Sequence, residues 1–126
     1  MTKIAVSSGD PAGIGPDICI KAFGQKKSLG YRPVIFGNID LLKERADEIK
    51  IKVDIKEYSG EDSNSLTDES LWVVDRPMSS EVKSGIPESS SAKYIMSIFK
   101  ESVKKTISKE FNAVVTVSYT HLRAHE

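Results

Sequence analysis

The 126-residue chain is poor in the residues that build covalent and metal frameworks, with one cysteine and two histidines. A single cysteine excludes a disulfide scaffold and a zinc ribbon, and suits a reducing compartment. Two histidines leave little material for a histidine-based metal site. An excess of one charge is missing too, since 18 Lys and Arg balance 18 Asp and Glu. A nucleic-acid binder needs a basic face, so no nucleic-acid partner is expected. No apolar run approaches the ~20 residues that span a bilayer. The opening stretch, residues 1–6, is too short an apolar core for a signal peptide. No membrane contact is therefore expected, and the chain reads as cytoplasmic. Internal repeats and low-complexity segments are absent. What is present, 39% hydrophobic and 29% charged residues, is the composition of a soluble globular protein. The length allows one ordinary domain or a piece of a larger one.

Hydrophobic patterning predicts alternating strands and helices. Residues 3–6, 33–36, 71–74 and 113–116 are short, mostly apolar runs and read as buried strands. Residues 52–55 alternate polar and apolar, as a half-exposed strand does. A helix is predicted after Pro16, with Ile18, Cys19, Ala22 and Phe23 as its apolar stripe and Gly24 as its stop. Asp17 in its first turn complements the helix dipole. A second helix is predicted over 39–49, with Leu41, Leu42, Ala46 and Ile49 inward. The longest helical pattern covers 92–107, with Ile95, Ile98, Phe99, Val103 and Ile107 on one face. Residues 59–70 and 77–91 read as loops. Alternation of this kind predicts an α/β fold with a largely parallel sheet.

The most informative loop joins the first strand to the first helix: Gly9-Asp10-Pro11-Ala12-Gly13-Ile14-Gly15-Pro16-Asp17. In open α/β sheets, ligands bind beyond the carboxyl ends of the strands, where a helix N-terminus offers free N–H groups. Asp10, Gly13, Ile14 and Gly15 are accordingly the candidate cleft-lining, cofactor-binding residues. The bland reading, a tight strand-to-helix turn, fits the spacing equally well. Asp10 likewise suits either the cleft or an Asx-type turn. The stretch is not the dinucleotide fingerprint, because Ile18 stands at the third glycine position. It is not a Walker loop, because no Gly-Lys-Ser/Thr follows.

The segment from Ser8 to Ile18 closely resembles the N-terminal signature of the 4-hydroxythreonine-4-phosphate dehydrogenase family, usually read G-D-P-A-G-I-G-P-E-[IV]. Asp17 in place of Glu keeps the charge. Three further stretches resemble the family in order: Arg32-Pro33-Val34-Ile35-Phe36-Gly37-Asn38, Ser84-Gly85-Ile86-Pro87-Glu88-Ser89 through Tyr94-Ile95, and Phe111-Asn112-Ala113-Val114-Val115-Thr116. The resemblance implies an isocitrate/isopropylmalate dehydrogenase-like fold, here truncated. It also implies NAD as cofactor, a divalent metal (Zn, Mg or Co), a small phosphorylated hydroxy-amino-acid substrate and a homodimer. The reaction implied is oxidative decarboxylation of 4-phosphooxy-L-threonine to 3-amino-2-oxopropyl phosphate, in pyridoxal 5'-phosphate biosynthesis. The metal would polarise the alcohol oxygen and stabilise the enolate left by decarboxylation. Alternatives are a paralogue acting on D-threonate or D-erythronate 4-phosphate, and a small non-catalytic anion-binding module.

After Thr116 the family pattern stops. Residues 117–126 read Val-Ser-Tyr-Thr-His-Leu-Arg-Ala-His-Glu. One frame of a transposon-based sequencing adapter translates to the same ten residues. We therefore expect residues 1–116 to be the N-terminal fragment of a dehydrogenase catalytic domain and residues 117–126 to be a non-native, adapter-derived tail. His121 and His125 both fall in that tail. The metal and substrate ligands that the resemblance implies would lie beyond residue 116, so the fragment is expected to hold no catalytic or metal residues and to be inactive. A truncated sheet is also expected to expose an unpaired edge, which favours aggregation. Of the remaining candidates, Cys19 reads as a buried inert thiol and Trp72 as core. Residues 43–45 and 104–105 read as solvated helix faces. Asp75 and Arg76 end a strand at the ligand edge without a motif to support a role.

Overall fold

The structure, a computed structural model, describes residues 2–24, 30–67, 69–78 and 89–117, with only the backbone of 89–91. Its elements run β1 (Thr2–Ser7), α1 (Gly15–Phe23), β2 (Tyr31–Gly37), α2 (Ile39–Glu48), β3 (Asp54–Glu57), β4 (Ser70–Asp75), α3 (Ser89–Ile107) and β5 (Ala113–Thr116). The five strands form one sheet in the order β3-β4-β2-β1-β5, and every pairing is parallel. This is the α/β architecture expected. The family-like stretch at 84–88 and the tail from 118 onward lie outside the described residues.

The strand side chains alternate between two apolar layers, as the two-residue period of a strand requires. Ala5, Val34, Phe36 and Val74 face one layer, with Ile98 of α3 and Phe111. Val6, Ile35, Leu71 and Val73 face the other, with Cys19 and Ile20 of α1 and Leu42 and Ala46 of α2. Each such aliphatic side chain, fully buried, contributes about 1.5–3 kcal/mol. Helices α1 and α2 therefore cover one face and α3 the other. From β1 the chain crosses to β2 on one side, and the later crossover through α3 brings β5 to the opposite side of β1. Right-handed crossovers heading in opposite directions must use opposite faces. The strand order thus reverses between β1 and β5.

The inward face of α1 is Pro16, Cys19, Ile20 and Phe23, a different phase from the expected stripe. Ile18 and Ala22 are exposed, and Ile20 is inside. Both phases share Cys19 and Phe23. Burial of Pro16 where the helix enters, next to Gly15 packed on the backbone just past β1, selects the observed one. On α3 the buried positions are Ile95, Ile98 and Ser102, while Ile107 is 76% exposed. The Ser102 hydroxyl donates to the Phe99 carbonyl at 2.7 Å, which lets a polar residue occupy the inner face. Past α3 the backbone turns left-handed at Lys109 (φ 71°) and Phe111 enters the core edge-on to Phe36, 5.6 Å between ring centroids.

Other departures are local. Strand β3 lies two residues later than the alternation suggested. Strand β5 is an outer strand rather than a buried one, with Val115 exposed. Trp72 is half-buried: its indole N–H donates to Thr67 O at 3.2 Å, and the Lys56 ammonium lies 5.8 Å from the ring centre. Lys3 Nζ, from the amino end of β1, donates to Tyr58 Oη (2.7 Å), which donates to Glu110 Oε2 (2.9 Å). Among the described residues, no helix is long and apolar enough to cross a membrane.

The phase of α1 is testable. Ile20→Ala should cost about 2–5 kcal/mol in urea unfolding by cavity formation. Ile18→Ala should stay within roughly 0.5 kcal/mol, as an exposed substitution does.

Candidate functional site

Because all five strands are parallel, their carboxyl ends share one edge of the sheet. The loop after β1 is built tightly there. Gly9 takes a φ of 76°, which side chains rarely adopt. Ser8 straps the loop to β2, its N–H and Oγ both donating to Phe36 O, at 3.2 and 2.9 Å. Asp10 is buried; its Oδ1 accepts from Ala12 N–H at 2.9 Å, as in an Asx turn, and its carbonyl accepts from Gly13 N–H at 2.9 Å. Gly15 packs so closely on the backbone just past β1 that a Cβ would lie 2.0 Å from Ser8 O. Val117 approaches from the far side: its N–H donates to Ser7 O at 3.0 Å, and it packs against the α1–α2 layer. Ile14, the N-cap of α1, makes no side-chain cap and is 62% exposed.

The four candidate residues, Asp10, Gly13, Ile14 and Gly15, are therefore brought together in one loop with unlike surroundings. Asp10 and Gly15 face inward, Gly13 is half-buried, and Ile14 faces out. The glycine requirements divide as well. Gly9 is needed for its backbone angle and Gly15 for close packing, and Gly13 has no positive φ.

One residue missed in the sequence organises this loop. Arg45 of α2 is 2% exposed, not on a solvated face. Its Nη2 donates to Pro11 O at 2.6 Å, and its Nη1 donates to Gly13 O at 2.8 Å and to Asp17 Oδ1 at 3.1 Å. Glu48 lies 3.8 Å from its Nε. A buried charge is costly unless it is paired and hydrogen-bonded, and this one is both. The signal was available, because position 45 falls between Leu42 and Ala46 on the inward stripe of α2, where a charged residue is out of pattern.

The neighbouring strand ends are tied to each other. Asn38 caps α2, its Oδ1 accepting from Leu41 N–H at 3.0 Å, and its Nδ2 donates to Arg76 O at 2.9 Å. Asp75 Oδ1 accepts from Ile39 N–H at 2.9 Å. Arg76 donates through Nε and Nη2 to Glu101, a bidentate pair that crosses to α3. The Arg76 hydrogen bonds hold the Glu101 carboxyl below its ordinary range, with Lys105 adding to the effect. The Tyr94 hydroxyl is buried without a hydrogen-bond partner among the described residues, and burial pushes its pKa up. Burial likewise pushes the Cys19 thiol up to about 12, which leaves it un-ionised at neutral pH.

Among the described residues, no group of three or more His, Cys, Asp or Glu could hold a metal ion. These residues do not fit the divalent metal that the resemblance implies. They do not fit a dinucleotide phosphate cradle either. Pro16 removes an N–H from the first turn of α1, Asp17 places a carboxylate there, and Arg45 is turned inward onto carbonyls. The position of the loop does fit a ligand crevice. It leaves β1 where the strand order reverses against β5, the place where open α/β sheets bind their ligands.

Comparison with known proteins agrees with the sequence motifs. A 4-hydroxythreonine-4-phosphate dehydrogenase of Pseudoalteromonas atlantica is 30% identical over 114 residues, which is 90% of this chain and 34% of that protein. The corresponding protein of Xanthobacter autotrophicus is 36% identical over 90 residues, 71% of this chain and 26% of its own. The chain belongs to the 4-hydroxythreonine-4-phosphate dehydrogenase family. It spans about a third of the length of the curated relatives it matches. No protein-family model matches the chain. The fold is shared with the crystal structure of the Klebsiella pneumoniae enzyme of that name, at a TM-score of 0.82 and 21% identity, covering 99% of this chain and 41% of that one. A Burkholderia phymatum structure of the same name gives a TM-score of 0.79 at 17% identity, covering 92% and 36%.

Two measurements check this geometry. Gly15→Ala forces a Cβ against the Ser8 backbone and should cost about 3 kcal/mol or more. Gly30→Ala meets nothing within 4 Å and should stay within roughly 0.5 kcal/mol. Glu101 gives a pH signature. A carboxyl with a lowered folded pKa contributes stability above its ordinary value of 4.5 and loses it as pH falls through the lowered value. The urea midpoint of wild type should therefore exceed that of Glu101→Gln at neutral pH, and the gap should shrink on acidification below 4.5.

Proposed function

We propose that this chain is the β1-loop-α1 side of the crevice in an NAD-dependent dehydrogenase of the cytoplasm. The substrate is 4-phosphooxy-L-threonine, whose secondary alcohol is oxidised and whose carboxylate leaves as CO2 to give 3-amino-2-oxopropyl phosphate. The product belongs to the route to pyridoxal 5'-phosphate. The observation that carries the reading is the coincidence of two independent features. The stretch that resembles the family most specifically, residues 8–18, is also the stretch that leaves the sheet where the strand order reverses.

The part played by the described residues is positional. Ser8 and Gly15 fix the loop on the sheet, Asp10 closes its turn, and Gly13 and Ile14 form its outer surface. The hydride acceptor, the metal ligands and the second subunit of a homodimer all belong, in this proposal, to a longer gene product. Residues 117–126 have no part in the reaction and derive from adapter sequence.

Resequencing the source locus should give a continuation after Thr116 that lacks the residue 117–126 string. The product of that longer gene should reduce NAD in the presence of 4-phosphooxy-L-threonine. The 126-residue chain should give no NADH with the same substrates. NADH production by the short chain, or an intact gene encoding residues 117–126 at this position, contradicts the proposal.

A further inference from the structure

Arg45 lies on α2, outside the motif and outside every candidate site residue, yet its guanidinium makes three of the contacts that shape the loop. Two of them go to main-chain carbonyls, Pro11 O and Gly13 O. The peptide units are planar, and none in the described residues is cis. A trans peptide points its N–H opposite to its C=O. With Gly13 O held inward by Arg45, the amide N–H of Ile14 points away from α2, toward the exposed side of the loop. Ile14 is the residue of this loop that stands most exposed. The third contact, to Asp17, neutralises the guanidinium, so its charge is spent inside the protein.

We propose that Arg45 is a positioning residue of the crevice: it sets the direction of the Gly13–Ile14 peptide and thereby the surface the loop presents to ligand. The assignment rests on the crevice reading above. Its mechanism is geometric. Nη1 and Nη2 diverge from a rigid plane, and each takes one carbonyl, so a planar fork holds two carbonyls two residues apart in a fixed relation. A lysine ammonium in the same place is a point donor on a flexible stem and does not impose that relation.

Arg45→Lys is the informative variant, since it keeps the charge beside Asp17. Lys43→Met, exposed on the same helix, is the control. In the 126-residue chain, amide hydrogen exchange should rise about tenfold or more at Ala12 and Gly13, whose N–H groups are hydrogen-bonded within the loop, in Arg45→Lys, with the amides of Ile35 and Phe36 unchanged. Equal acceleration at Ile35 and Phe36, or no acceleration in the loop, overturns the proposal. Wild type supplies a second measurement that needs no variant to fold. Scalar couplings across the hydrogen bonds should link the Arg45 guanidinium nitrogens to the Pro11 and Gly13 carbonyl carbons, and their absence overturns the proposal. In the longer gene product, Arg45→Lys should raise KM for NAD or for 4-phosphooxy-L-threonine about tenfold, with kcat within about threefold. A fall in kcat at constant KM marks a merely structural role and overturns it. Failure of the dehydrogenase reading leaves a different trace, because no turnover is then seen in wild type while the exchange and coupling measurements still decide the role of Arg45.

Discussion

The guanidinium of Arg45 ties together the parts of this structure that the sheet alone leaves independent. Strand pairing fixes β1 against β2, and apolar burial seats α1 and α2 on the same face. Neither specifies the path of the chain between β1 and α1. That path is a run of small and proline residues with few side chains to pack, so it must be held through its backbone. A cation with several donors in one plane is suited to the task, because carbonyl oxygens are the groups a loop has in surplus. The cost is the desolvation of a charge, and Asp17 at the start of α1 offsets it. Helix α2 is fixed in turn by Asn38 and by Asp75 at the ends of β2 and β4. A chain of polar contacts therefore runs from β4 through α2 to the loop, along the carboxyl edge of the sheet.

Much of the fold was legible in the sequence because strands in a parallel sheet bury both faces. Residues 33–36 and 71–74 read as continuous apolar runs, as buried strands do. The α2 stripe was legible as well, since it rests on local periodicity, whereas the Asn38 cap emerges only from the structure. What was not legible depended on partners far along the chain. Ile18 and Ile20 are equally apolar and flank Cys19 symmetrically, so only the burial of Pro16 and Gly15 chooses between them. Ser102 hides on the inner face of α3 because its hydroxyl satisfies itself within the helix. Ile107 looks like the last residue of the stripe, but Phe111, from beyond the turn at Lys109, fills the core instead.

The loop after β1 was legible as the most informative stretch of the sequence, but its internal organisation was not. The motif identified the loop, and the strand order supplied the reason for its position. The motif did not say which residues face a ligand and which face the protein. Asp10 carries a charge that suggests chemistry, yet its carboxylate serves the turn. Arg45 sits in a charged run with the exposed Lys43 and Glu44, although its own position lies on the apolar stripe.

Gly15 bears on what such a signature records. With Ser8 O 2.0 Å from where its Cβ would stand, position 15 tolerates no side chain, whatever the protein does. Gly9 is bound by its backbone angle, and Asp17 by the cation it balances. The most recognisable letters of the motif are thus answers to an assembly problem, how to seat a helix directly against the strand before it. A descendant that had exchanged its substrate, or lost its chemistry altogether, would still have to solve that problem and would keep the same letters. The motif is a durable marker of ancestry, and the memory of what each lineage catalyses is written at other positions.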